Sequence, residues 1–236
     1  MTTLVLIPGL ISDAIVWQPL SLAMSGSMAV HAADLSQGTS ITGMAQDLLE
    51  RVAGPVVPVG HSMGGRIAME MARLAPERVK GLVLANTGHH PKREAELPKR
   101  EAMIALGHKS MEELADSWLP PMVDEKRLAD TVLMGALRAM VLRADADMHE
   151  RQIRALIGRP DATSYMATLT CPTLLIAARQ DLWSPIAQHA EIAAAMPDAE
   201  ITIIEDAGHF APLERPDEVT AAIAAWLKNR TGVLNV

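Results

Sequence analysis

The chain has little of three things that would place it in other classes of protein. It has one cysteine, Cys171, so neither an internal disulfide nor a cysteine-based metal site is expected. Lys and Arg number 21 against 28 Asp and Glu, a formal charge of −7 that argues against a phosphate-binding surface and a nucleic-acid partner. No apolar run approaches the roughly 20 residues of a membrane span, and Met1–Pro8 lacks the pattern of a signal peptide. These absences predict a soluble, cytoplasmic protein with no membrane partner.

Short apolar runs recur along the chain with helical patterns between them. Met44, Leu48 and Val52, for example, repeat at helical spacing. Most of the runs lack polar alternation, which is typical of parallel strands covered on both faces. The pattern predicts an α/β fold with a mostly parallel sheet of about six strands and helices on both faces. Pro58 lies inside one run and predicts a bulge or an unpaired N–H position there. The runs are Leu4–Ile7, Met28–His31, Val56–Val59, Leu82–Ala85, Thr173–Ala177 and Ile201–Ile204.

Between residues 87 and 169 this alternation stops, and helical stretches punctuated by prolines follow. One amphipathic helix is predicted from Leu128 to Val141. The segment holds seven of the 15 methionines, whose flexible side chains suit a lid over an apolar pocket, although ordinary helix packing explains them as well. The sequence therefore predicts a core of residues 1–87 and 170–236 and a helical cap, residues 88–169, inserted between two strands.

The segment Gly60-His61-Ser62-Met63-Gly64-Gly65 lies between a predicted strand and a predicted helix. Gly-X-Ser-X-Gly in this context is typical of a sharp turn that projects a serine hydroxyl from the sheet. The glycines provide the space that lets the strand and the helix approach each other. Ser62 is therefore predicted to be a nucleophile.

A serine nucleophile needs a histidine base that is oriented by a carboxylate. Asp181 and His209 each follow a predicted strand, in the order acid then histidine, at the edge of the sheet where Ser62 is expected. Glu205 and Asp206 are rivals for the acid, but they lie too near His209 along the chain to turn back onto its ring. His61 is predicted to be a structural or pocket residue. The predicted catalytic residues are Ser62, Asp181 and His209.

An oxyanion formed at Ser62 needs two backbone N–H donors, which we predict at Met63 and Leu10. No metal or other cofactor is predicted, because His89-His90 has no acidic or cysteine cluster at ligand spacing. The sequence places no arginine or lysine clearly beside these residues. Residues that adjoin the catalytic loops or lie in the insertion are candidates for the substrate pocket, with core packing as the other interpretation of each; they are Ile11, Trp118, Leu182, Trp183 and Phe210.

These motifs resemble the α/β-hydrolase superfamily, in its small bacterial esterase and enol-lactonase branch. The resemblance rests on Gly60–Gly65, on the loop Asp34–Gly38, on Pro172-Thr173 leading to Asp181, and on Gly208-His209 followed by Glu214-Arg215-Pro216. Arg159-Pro160-Asp161 adds to it. It implies the fold, a cap domain, and a triad of Ser62, Asp181 and His209. Two departures are that Pro8-Gly9 replaces the usual His-Gly, and that the antiparallel N-terminal hairpin is expected to be absent.

The predicted function is hydrolysis of a carboxylic ester, lactone or similar small acyl substrate by a carboxylesterase-like serine hydrolase through an acyl-Ser62 intermediate. The same triad also serves C–C bond hydrolysis or acyl transfer, which we keep as an alternative. A third possibility is a ligand receptor in which the fold and the triad are retained but idle, because a fold does not prove a function. The expected partners are the acyl substrate and water, with a homodimer left open.

Overall fold

A computed structural model describes residues 1–232 of the chain. Residues 233–236, the end of the predicted core, lie outside the described residues. Six strands form one sheet in the order β2-β1-β3-β4-β5-β6, and every neighbouring pair is parallel. The strands are β1 Thr3–Ile7, β2 Ala29–Ala32, β3 Val56–His61, β4 Leu82–Ala85, β5 Thr173–Ala178 and β6 Ala199–Ile204.

The helices cover both faces of the sheet because its connections run in two directions. The chain moves from β1 outward to β2 and then returns past β1 to β3, and right-handed crossovers in opposite directions place their helices on opposite faces. Accordingly, α1 packs against α10 and α2 packs against α3. The helices are α1 Gln18–Met24, α2 Ile41–Arg51, α3 Met63–Leu74, α4 Leu97–Lys109, α5 Met111–Trp118, α6 Thr131–Val141, α7 Ala146–Ile157, α8 Ile186–Ala195, α9 Ala211–Glu214 and α10 Pro216–Trp226.

The change of direction between β1 and β3 opens a crevice beyond the carboxyl ends of these two strands. β1 ends at Ile7 and continues into Pro8-Gly9, while β3 ends at His61 beside Ser62. All six residues of β3 are buried, as are all four of β4 and all six of β5, in agreement with their unbroken apolar sequences. The fold therefore brings the two predicted catalytic loops together at one edge of its core.

Pro58 lies within β3 without ending it. The pairing of β3 with β4 is interrupted between an isolated bridge, Val56 to Val79, and the first regular pair, Val59 to Val83. Pro58 falls in this gap, where its missing N–H leaves no ladder hydrogen bond to lose.

Helices α4 to α7 lie between β4 and β5 in the chain, within the predicted insertion. The predicted helix from Leu128 begins later, at Thr131, because the Asp130 side chain accepts a hydrogen bond from the Leu133 N–H at 3.0 Å and caps it. Leu128 lies outside the helix. Within residues 1–232, no helix combines the length and the apolar character needed to cross a membrane.

His149 on α7 is fully buried against α4, where a Cβ on Gly107 would lie 2.5 Å from its Nδ1. Neither ring nitrogen has a hydrogen-bond partner among the described residues. Burial, followed by the charges of His108 and Arg100, lowers the pKa of His149 to about 4. Below pH 6.5 the unfolded chain therefore binds a proton that the folded chain excludes, so the free energy of unfolding falls as the pH is lowered from about 6.5 to about 4.

We expect His149→Leu to remove this part of the pH dependence, because leucine fills a similar volume and does not titrate. The gain in the free energy of unfolding over the original protein should be about 1–2 kcal/mol larger at pH 5 than at pH 7. Urea unfolding at both pH values measures the difference. Equal slopes of stability against pH in the two proteins would contradict the expectation.

Candidate active site

Ser62 occupies the turn between β3 and α3 in a strained backbone conformation, with φ 55° and ψ −115°. Non-glycine residues with positive φ are uncommon and persist where the surrounding structure holds them. The Ser62 N–H donates to the carbonyl oxygen of Ala85 at 2.9 Å, and the Thr87 hydroxyl donates to the Ser62 carbonyl oxygen at 2.6 Å. Hydrogen bonds to the end of β4 and to Thr87, just beyond it, therefore hold the turn in place.

Three glycines allow the backbone to close around Ser62. A Cβ on Gly60 would lie 2.2 Å from the Gly64 carbonyl oxygen, and one on Gly64 would lie 2.3 Å from the Ile7 carbonyl oxygen. On the other side of the crevice, a Cβ on Gly9 would approach the Ser62 Cβ to 3.2 Å. The spacing of glycines in the motif thus follows from contact of α3 with both β3 and the end of β1.

One hydrogen-bonded chain links the three predicted catalytic side chains. The Ser62 Oγ lies 2.8 Å from His209 Nε2, and His209 Nδ1 lies 2.9 Å from Asp181 Oδ2. His209 and Asp181 are buried, whereas Ser62 is half-buried at the floor of a cavity. In this arrangement the imidazole is able to accept the serine proton while the carboxylate stabilises the resulting imidazolium.

Asp181 is held by four hydrogen bonds in addition to its burial. Oδ1 accepts from the backbone N–H groups of Trp183 at 2.8 Å and Ser184 at 2.9 Å, and Oδ2 accepts from the Asn86 side chain at 2.9 Å as well as from His209. Burial alone would raise the pKa of Asp181, but the charge and hydrogen bond of His209, with the other donors, hold it well below its usual range. The carboxylate therefore stays ionised.

Asn86 is a site residue that the sequence did not reveal. It follows β4 with φ 49°, is fully buried, and donates to Asp181 and, at 3.3 Å, to the carbonyl oxygen of Gly208. In this way it joins the acid loop to the histidine loop. Its position at the carboxyl end of a central strand was the available signal, since asparagine readily adopts positive φ.

The loop that carries His209 is anchored by the buried carboxylate of Glu214. Its oxygens accept hydrogen bonds from the backbone N–H groups of Gly208 at 3.0 Å, Phe210 at 3.1 Å and Asp124 at 2.8 Å. Burial raises the pKa of Glu214, although these three donors oppose the shift. Two of the donors flank His209, so Glu214 is a positioning residue for the imidazole.

We expect Glu214→Gln to destabilise the protein by about 1–3 kcal/mol, because one amide oxygen cannot accept from all three N–H groups and the NH₂ group faces a donor. Looser placement of His209 should also lower kcat by roughly 10-fold to 100-fold. Urea unfolding and steady-state kinetics measure the two effects. Glu218→Gln, which changes an exposed carboxylate on α10, is the matched control. An unfolding midpoint and a kcat equal to those of the original protein would show that Glu214 does not position the loop.

His61 is buried beside the proposed base and remains neutral. Burial, followed by the charge of His209, lowers the pKa of His61 to about 3. Its Nε2 lies 2.7 Å from the His209 carbonyl oxygen, so Nε2 carries the proton and donates it there. His61 therefore supports the backbone of the histidine loop and makes no hydrogen bond to the Ser62 hydroxyl.

Leu10 and Met63, the predicted oxyanion donors, both line the cavity at Ser62. Within residues 1–232 neither backbone N–H donates a hydrogen bond to another residue. Ile11, next to Leu10, has φ 42°, and its N–H donates to the Gln152 side chain at 2.7 Å. A helix of the insertion therefore holds the strained turn that presents Leu10.

The cavity at Ser62 has a volume of about 120 Å³. Trp118 and Trp183, two of the predicted pocket residues, line it, and the buried indole N–H of Trp118 has no partner among the described residues. Phe210 is buried behind the cavity, with its ring 6.2 Å from that of Trp118 and 5.4 Å from that of His61. Phe210 therefore packs against the site without lining it.

Ile11 and Leu182 lie apart from this cavity. Ile11 faces a separate cavity of about 300 Å³, because the backbone turn after Leu10 directs it away from Ser62. Leu182 is 82% exposed and lines another surface depression, beside Pro120 and Pro121. The N–H groups of Trp183 and Ser184, which follow it, bind Asp181 and so fix the turn that directs the Leu182 side chain outward.

Two arginines that the sequence did not place beside the site line the cavity at Ser62. Arg66 comes from α3, one turn beyond the serine, and Arg100 comes from α4 in the insertion. Helical spacing is consistent with Arg66 lying near Ser62, but the position of Arg100 depends on where the tertiary structure places α4.

His89 and His90 gain an acidic neighbour from a distant part of the chain. Glu191 on α8 lies 3.0 Å from His90 Nε2 and 3.5 Å from His89 Nε2, so the three groups lie within ligand distance of one another. Burial, followed by the charge of His90, lowers the pKa of His89 to about 4. His90 Nε2 is close enough to Glu191 to form an ion pair when it is protonated, and the absence of a metal stays a prediction.

A family model described as the alpha/beta hydrolase family matches residues 4–222, nearly the whole chain. The chain therefore belongs to this family and is a hydrolase. The family match agrees with the six-stranded parallel sheet and with the resemblance inferred from the sequence motifs.

Similar proteins cover most of the chain at low identity. A protein of Stutzerimonas stutzeri that carries the name of a carbamate hydrolase, RutD, is 28% identical over 98% of this chain and 93% of its own. A 2-hydroxy-6-oxononadienedioate/2-hydroxy-6-oxononatrienedioate hydrolase of Cupriavidus pinatubonensis is 29% identical over 72% of this chain and 61% of its own. The malate-bound structure of a thermophilic esterase from Thermogutta terrifontis superposes with a TM-score of 0.90 at 25% identity, over 100% of this chain and 91% of its own.

Proposed function

We propose that this protein hydrolyses a carboxylic ester, a lactone or a similar small acyl substrate through an acyl-Ser62 intermediate. The observation that carries the proposal is the hydrogen-bonded chain from the Ser62 Oγ through His209 to Asp181, with distances of 2.8 Å and 2.9 Å. The similarity in fold to an esterase supports the same chemistry.

In the first step His209 takes the hydroxyl proton of Ser62 while the Oγ bonds to the substrate carbonyl carbon. The C–O bond to the leaving group then breaks, and His209 gives the proton to the departing oxygen. Water attacks the acyl carbon as His209 takes its proton, and this proton returns to Ser62 Oγ when the acid leaves. One ester and one water thus become one acid and one alcohol. The free N–H groups of Leu10 and Met63 are the donors proposed for each oxyanion.

Residues 88–169 are proposed to act as the cap over this reaction. Arg100, Trp118, Met122 and Leu156 come from that segment and line the cavity with Ser62, which supports the proposal. Exclusion of water by such a cover strengthens the electrostatic interactions inside the site. The cytoplasmic location and the homodimer stay predictions.

Reaction with a fluorophosphonate probe tests the proposed nucleophile, since such probes form a bond to an activated serine. We expect the intact protein to be labelled at Ser62, as located by mass spectrometry of the peptide. A panel of p-nitrophenyl esters of increasing acyl length, run together with simple lactones, tests the substrate class. Absence of labelling in a sample where a known serine hydrolase reacts would overturn the proposal.

C–C bond hydrolysis is the second candidate, favoured by the similarity to the dioate hydrolase of Cupriavidus pinatubonensis. The same base and nucleophile serve both reactions, and the leaving group receives the proton on carbon instead of oxygen. Assay of a vinylogous 1,5-diketone beside the ester panel separates them. Faster turnover of the diketone than of every ester would favour the second candidate.

A further inference from the structure

The cavity at Ser62 is too small to enclose a whole substrate. Its volume of about 120 Å³ is well below the 300–1,000 Å³ of typical ligand sites. A second cavity of about 350 Å³ shares four of its lining residues, Arg66, Arg100, Trp183 and Gln188. A substrate that places its carbonyl at Ser62 therefore extends across these four side chains into the second cavity.

The second cavity is strongly cationic, although the chain as a whole carries a charge of −7. Five arginine and lysine side chains line it against a single carboxylate, that of Glu96, which leaves four positive charges unbalanced within the cavity wall. The cations are Arg66, Arg93, Lys99, Arg100 and Arg159. A cavity lined by charge of one sign concentrates ligands of the opposite sign.

Arg159 is already occupied by the protein. Its guanidinium binds the Glu96 carboxylate at 2.7 Å and donates to the carbonyl oxygens of His90, Pro91 and Leu156 at 3.0, 2.8 and 2.8 Å. Arg159 therefore stabilises the start of the segment 88–169, and its guanidinium has few N–H donors left to bind a ligand.

Arg66 and Arg100 are far less occupied. Among the described residues Arg66 donates one hydrogen bond, to the His90 carbonyl oxygen at 3.0 Å, and Arg100 has a single carboxylate contact, 3.6 Å from Glu96. Burial, followed by the charge of Arg159, lowers the pKa of Arg66 to about 9, and burial also lowers the pKa of Arg100. Among the described residues Arg66 therefore has no carboxylate at ion-pair distance, and Arg100 shares its only one, Glu96, with Arg159.

We propose that the natural substrate carries a carboxylate that binds Arg66 and Arg100 while its acyl carbon lies at Ser62. The inference rests on the proposed function and adds the substrate class. A guanidinium offers paired N–H donors that match the two oxygens of a carboxylate, and such charge-assisted bonds are strong in a partly buried site. The bound anion also relieves the repulsion between the two arginines.

Two pairs of esters test the inference, each pair with the same scissile bond and with or without a negative charge. Mono-4-nitrophenyl glutarate and its methyl-capped diester differ in a carboxylate on the acyl side. 4-Acetoxybenzoate and its methyl ester differ on the leaving-group side. For at least one pair we expect kcat/KM to favour the anion, mainly through KM and less so at high salt.

We expect Arg100→Gln, and separately Arg66→Gln, to lower the anionic-to-neutral ratio of kcat/KM by about 10-fold to 100-fold, the scale of one charge-assisted hydrogen bond. Arg100→Lys should restore part of the ratio. Because both esters of a pair are measured on the same variant, a general loss of folding cancels. Arg138→Gln removes an exposed cation on α6, outside both cavities, and should leave the ratio unchanged.

The outcomes separate the two proposals. In one outcome Ser62 reacts with the fluorophosphonate and esters are hydrolysed, but the anionic-to-neutral ratio of kcat/KM does not change in Arg66→Gln or Arg100→Gln for either pair of esters. That result would overturn the inference of an anionic substrate. If Ser62 is unlabelled and no ester is hydrolysed, the proposed function itself has failed. If this ratio falls as much in Arg138→Gln as in Arg100→Gln, the preference for anions arises from the net charge of the protein, and the proposed carboxylate site at Arg66 and Arg100 is overturned.

Discussion

Ser62→Ala is expected to lower kcat by roughly 10⁴-fold to 10⁶-fold and to abolish fluorophosphonate labelling. The hydroxyl is the group that His209 Nε2 contacts at 2.8 Å, and alanine leaves the imidazole without an atom to activate. Loss of one member of such a unit costs almost as much as loss of the whole unit, because its parts act together. The measurement is the steady-state rate with the best p-nitrophenyl ester, together with mass spectrometry of the labelled protein.

Ser164→Ala, the same loss of a hydroxyl at an exposed position in the insertion, provides the control and should leave the rate unchanged. The unfolding midpoint of Ser62→Ala should remain close to that of the original protein, although the alanine occupies the same strained turn. Labelling that persists in Ser62→Ala would refute the assignment of the nucleophile.

Asp181→Asn is expected to lower kcat by about 10⁴-fold, the effect of holding the histidine in the wrong tautomer. In the native arrangement Oδ1 accepts from two backbone N–H groups, while Oδ2 accepts from Asn86 and His209. An asparagine that keeps its oxygen toward the backbone turns its NH₂ group toward the Asn86 amide and His209 Nδ1. Nδ1 then becomes the acceptor, and Nε2 holds the proton that it must receive from Ser62.

Asp206→Asn is the matched control for this substitution. Asp206 also lies in the loops after the last strands, but it is exposed, with φ 51°, and pairs with Lys126 at 2.7 Å and Arg215 at 3.0 Å. Asparagine tolerates this backbone conformation, so the control should fold and keep its kcat within about threefold. Comparable losses in the two variants would show that charge near the site, and not the orientation of His209, determines the rate.

Local patterns made much of the fold predictable. Buried parallel strands need continuous apolar runs, so the six runs identified in the sequence match the six strands to within one or two residues at each end. The proximity of Ser62, Asp181 and His209 was predictable because each follows a strand, and the carboxyl ends of parallel strands meet at one edge of the sheet.

Contacts between distant segments were not predictable in this way. Asn86 binds Asp181, and Arg100 lines the cavity with Ser62, although each lies far in the sequence from that partner, and neither belongs to a spaced motif. Glu214 was part of a motif, but its hydrogen bonds to the N–H groups on either side of His209 became visible only in the structure. The start of α6 was also missed, because the short-range cap made by Asp130 prevailed over the apolar periodicity that continued back to Leu128.

The sequence by itself determined the order of strands and helices, the turn at Ser62, the candidate acid and histidine, and the absence of a cysteine pair. Each of these depends on residue type and spacing over a few positions. The tertiary structure decided which side chains surround the reacting groups. The shared position of Arg66 and Arg100 became visible only in the structure, where both line the same two cavities, because a cavity's charge depends on elements that are neighbours in space and not in the chain.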